Sequence, residues 1–205
     1  MHLTGPRLSV VVTYLEMTAP PVTPAPPRPA LPIALLRAAN IPVSFYRYLY
    51  ETVGEDWLWY ERRRIDDETL CTLIHDKAVE VYVLYVNGSP GGYGELKKTS
   101  DREIDLAYFG LLPEFVGCGL GKFFLRWVID QAWRIEPTRR VTVNTCDLDH
   151  PRALKAYQTI GFVPYRRETQ EFDDPRADGM LPGWQDCRLV QEQTENYGLC
   201  SLPES

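Results

Sequence analysis

The sequence predicts an α/β domain of the α+β type, a mixed, mostly antiparallel sheet flanked by helices. Three observations predict it. Segments rich in β-forming residues follow one another across tight-turn signals between Glu80 and Leu112. Glycines at 117, 119 and 121 then feed a stretch with Leu120, Phe123, Phe124, Trp127 and Val128 at helical spacing. Beyond Pro137 the apolar pattern alternates again, as strand, helix and strand.

Residues 1–33 read as a proline-rich leader, expected to be disordered, and 34–205 as the folded domain with an acidic C-terminal tail. From Ala19 to Pro32 proline density removes backbone donors and favours an extended polyproline II path. Met17 offers a second start position, which leaves the membership of residues 1–16 open. The run Leu8–Leu15 is too short for a membrane helix and is followed by Glu16, which also argues against a signal peptide.

Helices are expected from Pro42 to Asp76. Phe45, Tyr46, Leu49, Tyr50 and Val53 form one stripe that ends at Gly54. Asp66-Asp67-Glu68 opens a second helix, because acids suit a helix N-terminus. Glu80–Val86 reads as a strand, Asn87-Gly88 as a hairpin turn, and Gly91–Lys97 as the returning strand. A turn near Thr99–Arg102 leads into the strand Glu103–Leu112. The helix beginning at Gly119 is stopped by Pro137. Arg140–Thr145 is a strand, Pro151 starts a helix, Gly161 closes it, and Phe162–Phe172 is the last strand.

Composition narrows the function. Lys and Arg number 22 against 28 Asp and Glu, a net charge of −6, which disfavours a nucleic-acid binder. The five cysteines contain no Cys-x-x-Cys, so free thiols and a cytoplasmic setting are expected rather than a disulfide framework. The three histidines lack metal-ligand spacing, so no metal is expected. No stretch is apolar for the length a bilayer requires.

The turn Val116–Lys122 is a candidate diphosphate cradle. Glycines let backbone approach a ligand, and a helix start leaves N–H groups unpaired. A Walker loop would need Gly where Val116 stands and Ser or Thr after Lys122. The dinucleotide fingerprint would need Gly or Ala at Lys122. Neither fits.

A Gly-x-Gly-x-Gly turn after strand-Pro-Glu resembles the acetyl-CoA loop of the GNAT N-acetyltransferase superfamily, with Gly119 and Gly121 in matching places and Val116 departing at the Gln/Arg position. About thirty residues on, Ala153, Tyr157, Gly161 and Phe162 match a second motif of that family, where His150 replaces Asn. The resemblance covers roughly 34–175. It implies a GNAT fold with a splayed acetyl-CoA cleft. It also implies transfer of an acetyl group from acetyl-CoA, the co-substrate, to a primary amine of a small molecule or peptide, by direct attack in a ternary complex. Tyr157 would be the general acid. Asp105 on the strand before the loop, Glu95 on its neighbour, or a water chain would take the amine proton. Backbone groups of Phe109, Gly110 and Leu111 would meet the pantetheine arm, with a bulge at Gly110 splaying the strands. Val116, Gly117, Cys118, Gly119, Leu120, Gly121 and Lys122 would cradle the diphosphate, and His150 would stand near pantetheine. Arg152 and Lys155 are candidates for the 3′-phosphate, Asn144 for the acyl or acceptor group. Tyr46, Tyr50, Trp57 and Trp59 are candidates for an acceptor pocket. A homodimer is compatible with the family. Two rivals stand beside this reading: a GNAT-like module that binds CoA or a ligand without turnover, and an interaction protein docking through its leader and aromatic helices.

Overall fold

A computed structural model describes residues 7–177, 179 and 181. The strands are β1 (Arg7–Met17), β2 (Ile33–Arg37), β3 (Val79–Val86), β4 (Ser89–Ser100), β5 (Glu103–Leu111), β6 (Arg140–Cys146) and β7 (Val163–Asp173). The helices are α1 (Val43–Gly54), α2 (Asp67–Ile74), α3 (Leu120–Arg134) and α4 (Ala153–Ile160). Most of the acidic tail expected after Asp173 lies outside the described residues.

The strands form one sheet in the order β2-β3-β4-β5-β6-β1-β7. Every neighbouring pair is antiparallel except β5 and β6. Successive strand residues face opposite sides of a sheet. Along β3, Val79, Val81 and Val83 therefore join one apolar cluster with Tyr46, Leu49, Leu70 and Ile74 from α1 and α2. Tyr82 and Leu84 join the other, with Leu120, Phe124, Val128 and Ile129 from α3. Burial on both faces explains why β3 reads as a nearly continuous apolar run.

Two expectations need correction. The leader is not disordered throughout. Residues 7–17 form β1, which pairs with β6 on one side and with β7 on the other. Its Val10, Val12, Leu15 and Met17 are buried. Ile33–Arg37 adds the strand β2 on the far edge of the sheet. Among the described leader residues only the stretch between them lacks helix and strand, and it crosses α3, where the Arg126 guanidinium donates to the Thr23 carbonyl at 2.6 Å. The second correction concerns Gly110. It faces Tyr93 in regular register, and the bulge lies at Ala107, where Glu95 pairs with Tyr108 but Leu96 pairs with Leu106. Gly110 serves close packing instead: a Cβ there would lie 2.2 Å from Val53 Cγ1 of α1.

The feature that makes a site is the parting of β5 and β6. They pair only from Glu103 to Asp105 against Arg140 to Thr142. Past the bulge, β5 runs on with β4 alone and β6 runs on with β1. A cleft opens between them.

Candidate active site

The cleft holds a cavity of about 680 Å³, a size suited to a cofactor-sized ligand. Its lining includes Val116, Gly117, Gly119, Gly121 and Lys122 of the glycine turn, and Trp57, Trp59, Tyr60, Asp149 and Phe172 from other elements. The β5 residues Phe109, Gly110 and Leu111 line it too. Because β6 has already left, their edge facing the cleft carries no ladder and can pair with an extended ligand.

The glycine turn is built by left-handed backbone. Gly117 has φ +86° and Gly119 φ +76°, with open space around each Cβ position, so conformation rather than crowding requires glycine there. Gly119 caps α3. The N–H groups of Gly117, Gly119, Leu120, Gly121 and Lys122 make no backbone bond among the described residues. Those of Val116 and Cys118 are already committed, to the carbonyls of Pro113 and Phe115. The unbonded amides are thus fewer than the seven consecutive residues expected to cradle a diphosphate. Leu120 contributes only backbone, since its side chain is buried in the core. Cys118 faces a different hollow, and its sulfur is disulfide-bonded. The expectation of free thiols therefore holds at Cys71 and Cys146 and fails at Cys118.

Tyr157 lines the cavity from α4. The helix ends at Gly161, φ +114°, whose N–H bonds back to Gln158, while Phe162 N–H bonds to the Tyr157 carbonyl at 3.1 Å. The Phe162 ring packs edge-on against Tyr157, 6.0 Å between centroids. The Tyr-x-x-x-Gly-Phe pattern is therefore a helix stop that fixes the tyrosine. Burial pushes the phenol well above its ordinary range, and the charges of Asp149 and Asp105 add to this. No hydrogen-bonding group among the described residues contacts its hydroxyl.

The structure does not bring the two strand carboxylates to the cavity lining. Asp105 sits at the last β5–β6 pair, accepting from Thr142 Oγ1 at 2.7 Å, and burial raises its carboxyl. Glu95 is fully buried; it accepts from Tyr46 at 2.5 Å and from Arg62 at 2.9 Å. Tyr46 is likewise core, whereas Tyr50, Trp57 and Trp59 reach the cavity. His150 sits in the aromatic wall, 5.2 Å from Trp57 between ring centroids, and accepts from the Arg152 N–H. Asn144 and Arg152 also line the cavity; Lys155 does not.

Sequence reasoning missed Asp149. It lies in the turn after β6 and lines the cavity. One of its oxygens accepts from Thr145 Oγ1 at 2.7 Å and from the Cys146 N–H at 2.9 Å. Burial raises its carboxyl, and these bonds and one from Trp59 pull it back. The only signal available was its place directly after a strand.

The lining suits a ligand with a diphosphate and an extended arm. Unbonded amides at a helix N-terminus suit a diphosphate, Lys122 and Arg152 add positive charge, and the bare β5 edge suits an extended amide-bearing arm. Residues 43–162 match the acetyltransferase (GNAT) family. Comparison with curated proteins gives no match. Among solved structures, the chain resembles a GCN5-related N-acetyltransferase from Sphaerobacter thermophilus, with a TM-score of 0.55 and 18% identity over 85% of this chain and 52% of that one. A tandem GNAT protein from the clavulanic acid biosynthesis pathway gives 0.56 and 18%, over 81% and 53%. An aminoglycoside acetyltransferase from an uncultured soil metagenomic sample, in complex with trehalose, gives 0.52 and 16%, over 63% and 87%. The chain spans about half the length of the first two of these proteins. The family match runs from α1 through the glycine turn to the end of α4, and on that match the chain belongs to the GNAT family of acetyltransferases.

Proposed function

We propose that the protein transfers an acetyl group from acetyl-CoA to a primary amine by direct attack within a ternary complex. The observation that carries this reading is the pairing of unbonded amides at Gly117 and Gly119–Lys122 with Tyr157 along a single cavity. The co-substrate supplies an activated acetyl thioester. This chain's residues do the rest. The glycine-turn amides and Lys122 hold the diphosphate, and the free edge of Phe109–Leu111 holds the arm in line. That positioning accounts for much of the barrier reduction. Tyr157, protonated throughout the neutral range, gives a proton to the departing sulfur.

Neither Asp105 nor Glu95 lines the cavity, and a CoA-binding module without turnover would share that feature. A thiol-release assay over a range of amines separates the two readings. Tyr157→Phe should lower kcat by about 100-fold, the usual scale for a lost general acid, while the acetyl-CoA Kd stays within about twofold. An unchanged kcat would remove the acid role from Tyr157. Thiol release absent with every amine, alongside intact CoA binding, would favour the module.

A further inference from the structure

We propose that the acceptor is a primary amine bearing one positive charge on a flat apolar group, its ammonium held by Asp149 and its body by Trp57, Trp59, Tyr60 and Phe172. This rests on the transfer reading and names the substrate class it serves.

Part of the cavity wall is aromatic, built from two sides. Trp57, Trp59 and Tyr60 come from the segment between α1 and α2. Phe172 comes from β7 and His150 from the turn after β6. The two sides meet: Tyr60 stacks on Phe172 at 5.5 Å and Trp57 packs against His150 at 5.2 Å. Trp59 packs at 5.1 Å on Tyr108, which also lines the cavity. Such walls favour apolar area, and their faces attract a cation.

Charge in the lining limits the ligand to one ammonium. Its carboxylates are Glu61 and Asp149. Glu61 belongs to an exposed residue and already accepts from the Tyr108 hydroxyl at 2.5 Å. Asp149 is the enclosed one; Thr145 and Cys146 donate to one of its oxygens and Trp59 donates to the carboxylate as well, and a carboxylate's four lone-pair sites leave room for one ammonium. A second enclosed ammonium would have no counter-charge, which is costly. A sugar would fare no better. The Gln170 amide nitrogen is spent on Tyr14 and Glu168, so Asn144 supplies the one uncommitted side-chain amide among the described residues of the lining, beside the aromatic walls, too few partners for a ring of hydroxyls.

The protons balance on these residues. The ammonium gives one proton to the Asp149 carboxylate, and the neutral nitrogen then forms the N–C bond as the C–S bond breaks. The sulfur takes the Tyr157 proton, and Tyr157 is reprotonated as the amide nitrogen sheds its second proton. Asp149 returns its proton to water, so one proton is released per turnover.

The test uses the full chain with acetyl-CoA and three amines: 2-phenylethylamine, spermidine and glucosamine. Thiol release gives kcat/KM, and calorimetry with the CoA-loaded protein gives amine affinity. The expected result is that 2-phenylethylamine exceeds both others by at least about 30-fold in either readout. Equal or reversed preference overturns the proposal. Preference in binding without any thiol release supports it while striking transfer alone. Asp149→Asn, which keeps an acceptor for Thr145, should weaken 2-phenylethylamine at least tenfold with CoA affinity unchanged. Unchanged amine affinity in that variant overturns the ammonium role.

Discussion

Deletion of Met1–Met17 abolishes the folded state: near-ultraviolet circular dichroism is lost and no cooperative thermal transition remains. The reason is position. The strand β1 lies inside the sheet, with residues from Val12 to Met17 paired to β6 and from Arg7 to Glu16 to β7. Removing it strands β7, which has no other neighbour in the sheet. It also uncovers the ground beneath Val10, Val12, Leu15 and Met17, each less than a tenth exposed. At about 2 kcal/mol for each buried apolar side chain, the loss is about 8 kcal/mol, comparable with the whole stability of a domain. Side-chain ties go as well: Glu16 to Arg140 at 2.7 Å, and Tyr14 to Glu168 at 2.7 Å. The cavity would lose the wall that Val10 and Val12 supply. A shortened chain that melts cooperatively at the full-length temperature would show that β1 is dispensable.

Glu95→Ala lowers stability by about 3–5 kcal/mol, the usual result of removing one partner from a buried ion pair. Glu95 is fully buried, and the Arg62 side chain is 11% exposed. Burial pushes the Glu95 carboxyl up, while Arg62 and Tyr46 oppose that, and the Glu95 charge holds the Arg62 guanidinium ionised. With Glu95 gone, Arg62 keeps a charge it cannot hydrate and Tyr46 loses its acceptor. Arg62 also lies over the Tyr108 ring at 5.2 Å, and its N–H donates to the Tyr50 hydroxyl at 3.3 Å. The pair therefore pins the segment carrying Trp57, Trp59 and Tyr60 to the sheet. Among molecules that remain folded at low temperature, kcat/KM for the amine should fall while CoA affinity stays within about twofold. Urea unfolding measures the first effect, and a loss below about 1 kcal/mol would contradict the buried-pair account.

Legibility followed sequence separation. The glycine turn, α3 and the stop at Gly161 are local devices, so spacing alone exposed them. The hairpin at Asn87-Gly88 was equally plain. β1 was not. Its run Leu8-Ser-Val-Val-Val-Thr-Tyr-Leu15 is rich in β-formers, but the prolines after it suggested a tail, and its partners lie more than 120 residues away. The candidate bases show the same limit. Glu95 reads as a strand carboxylate available for chemistry, yet Arg62, 33 residues earlier in a charged run, occupies it. Asp149 reads as a turn residue, and only the approach of Trp59 and Thr145 turns it into a fixed carboxylate in a cavity. Backbone periodicity was readable; the pairing of distant side chains was not.

Acetyl transfer by this chain requires that the diphosphate of coenzyme A meet the free amides of Gly117 and Gly119–Lys122. Calorimetric titration of the full-length chain with coenzyme A and, separately, with pantetheine, which lacks the diphosphate, tests this most directly. The expected result is one-to-one binding of coenzyme A with a Kd in the micromolar range, and pantetheine weaker by at least about 30-fold. No heat with millimolar coenzyme A, or equal affinity for both ligands, would contradict it.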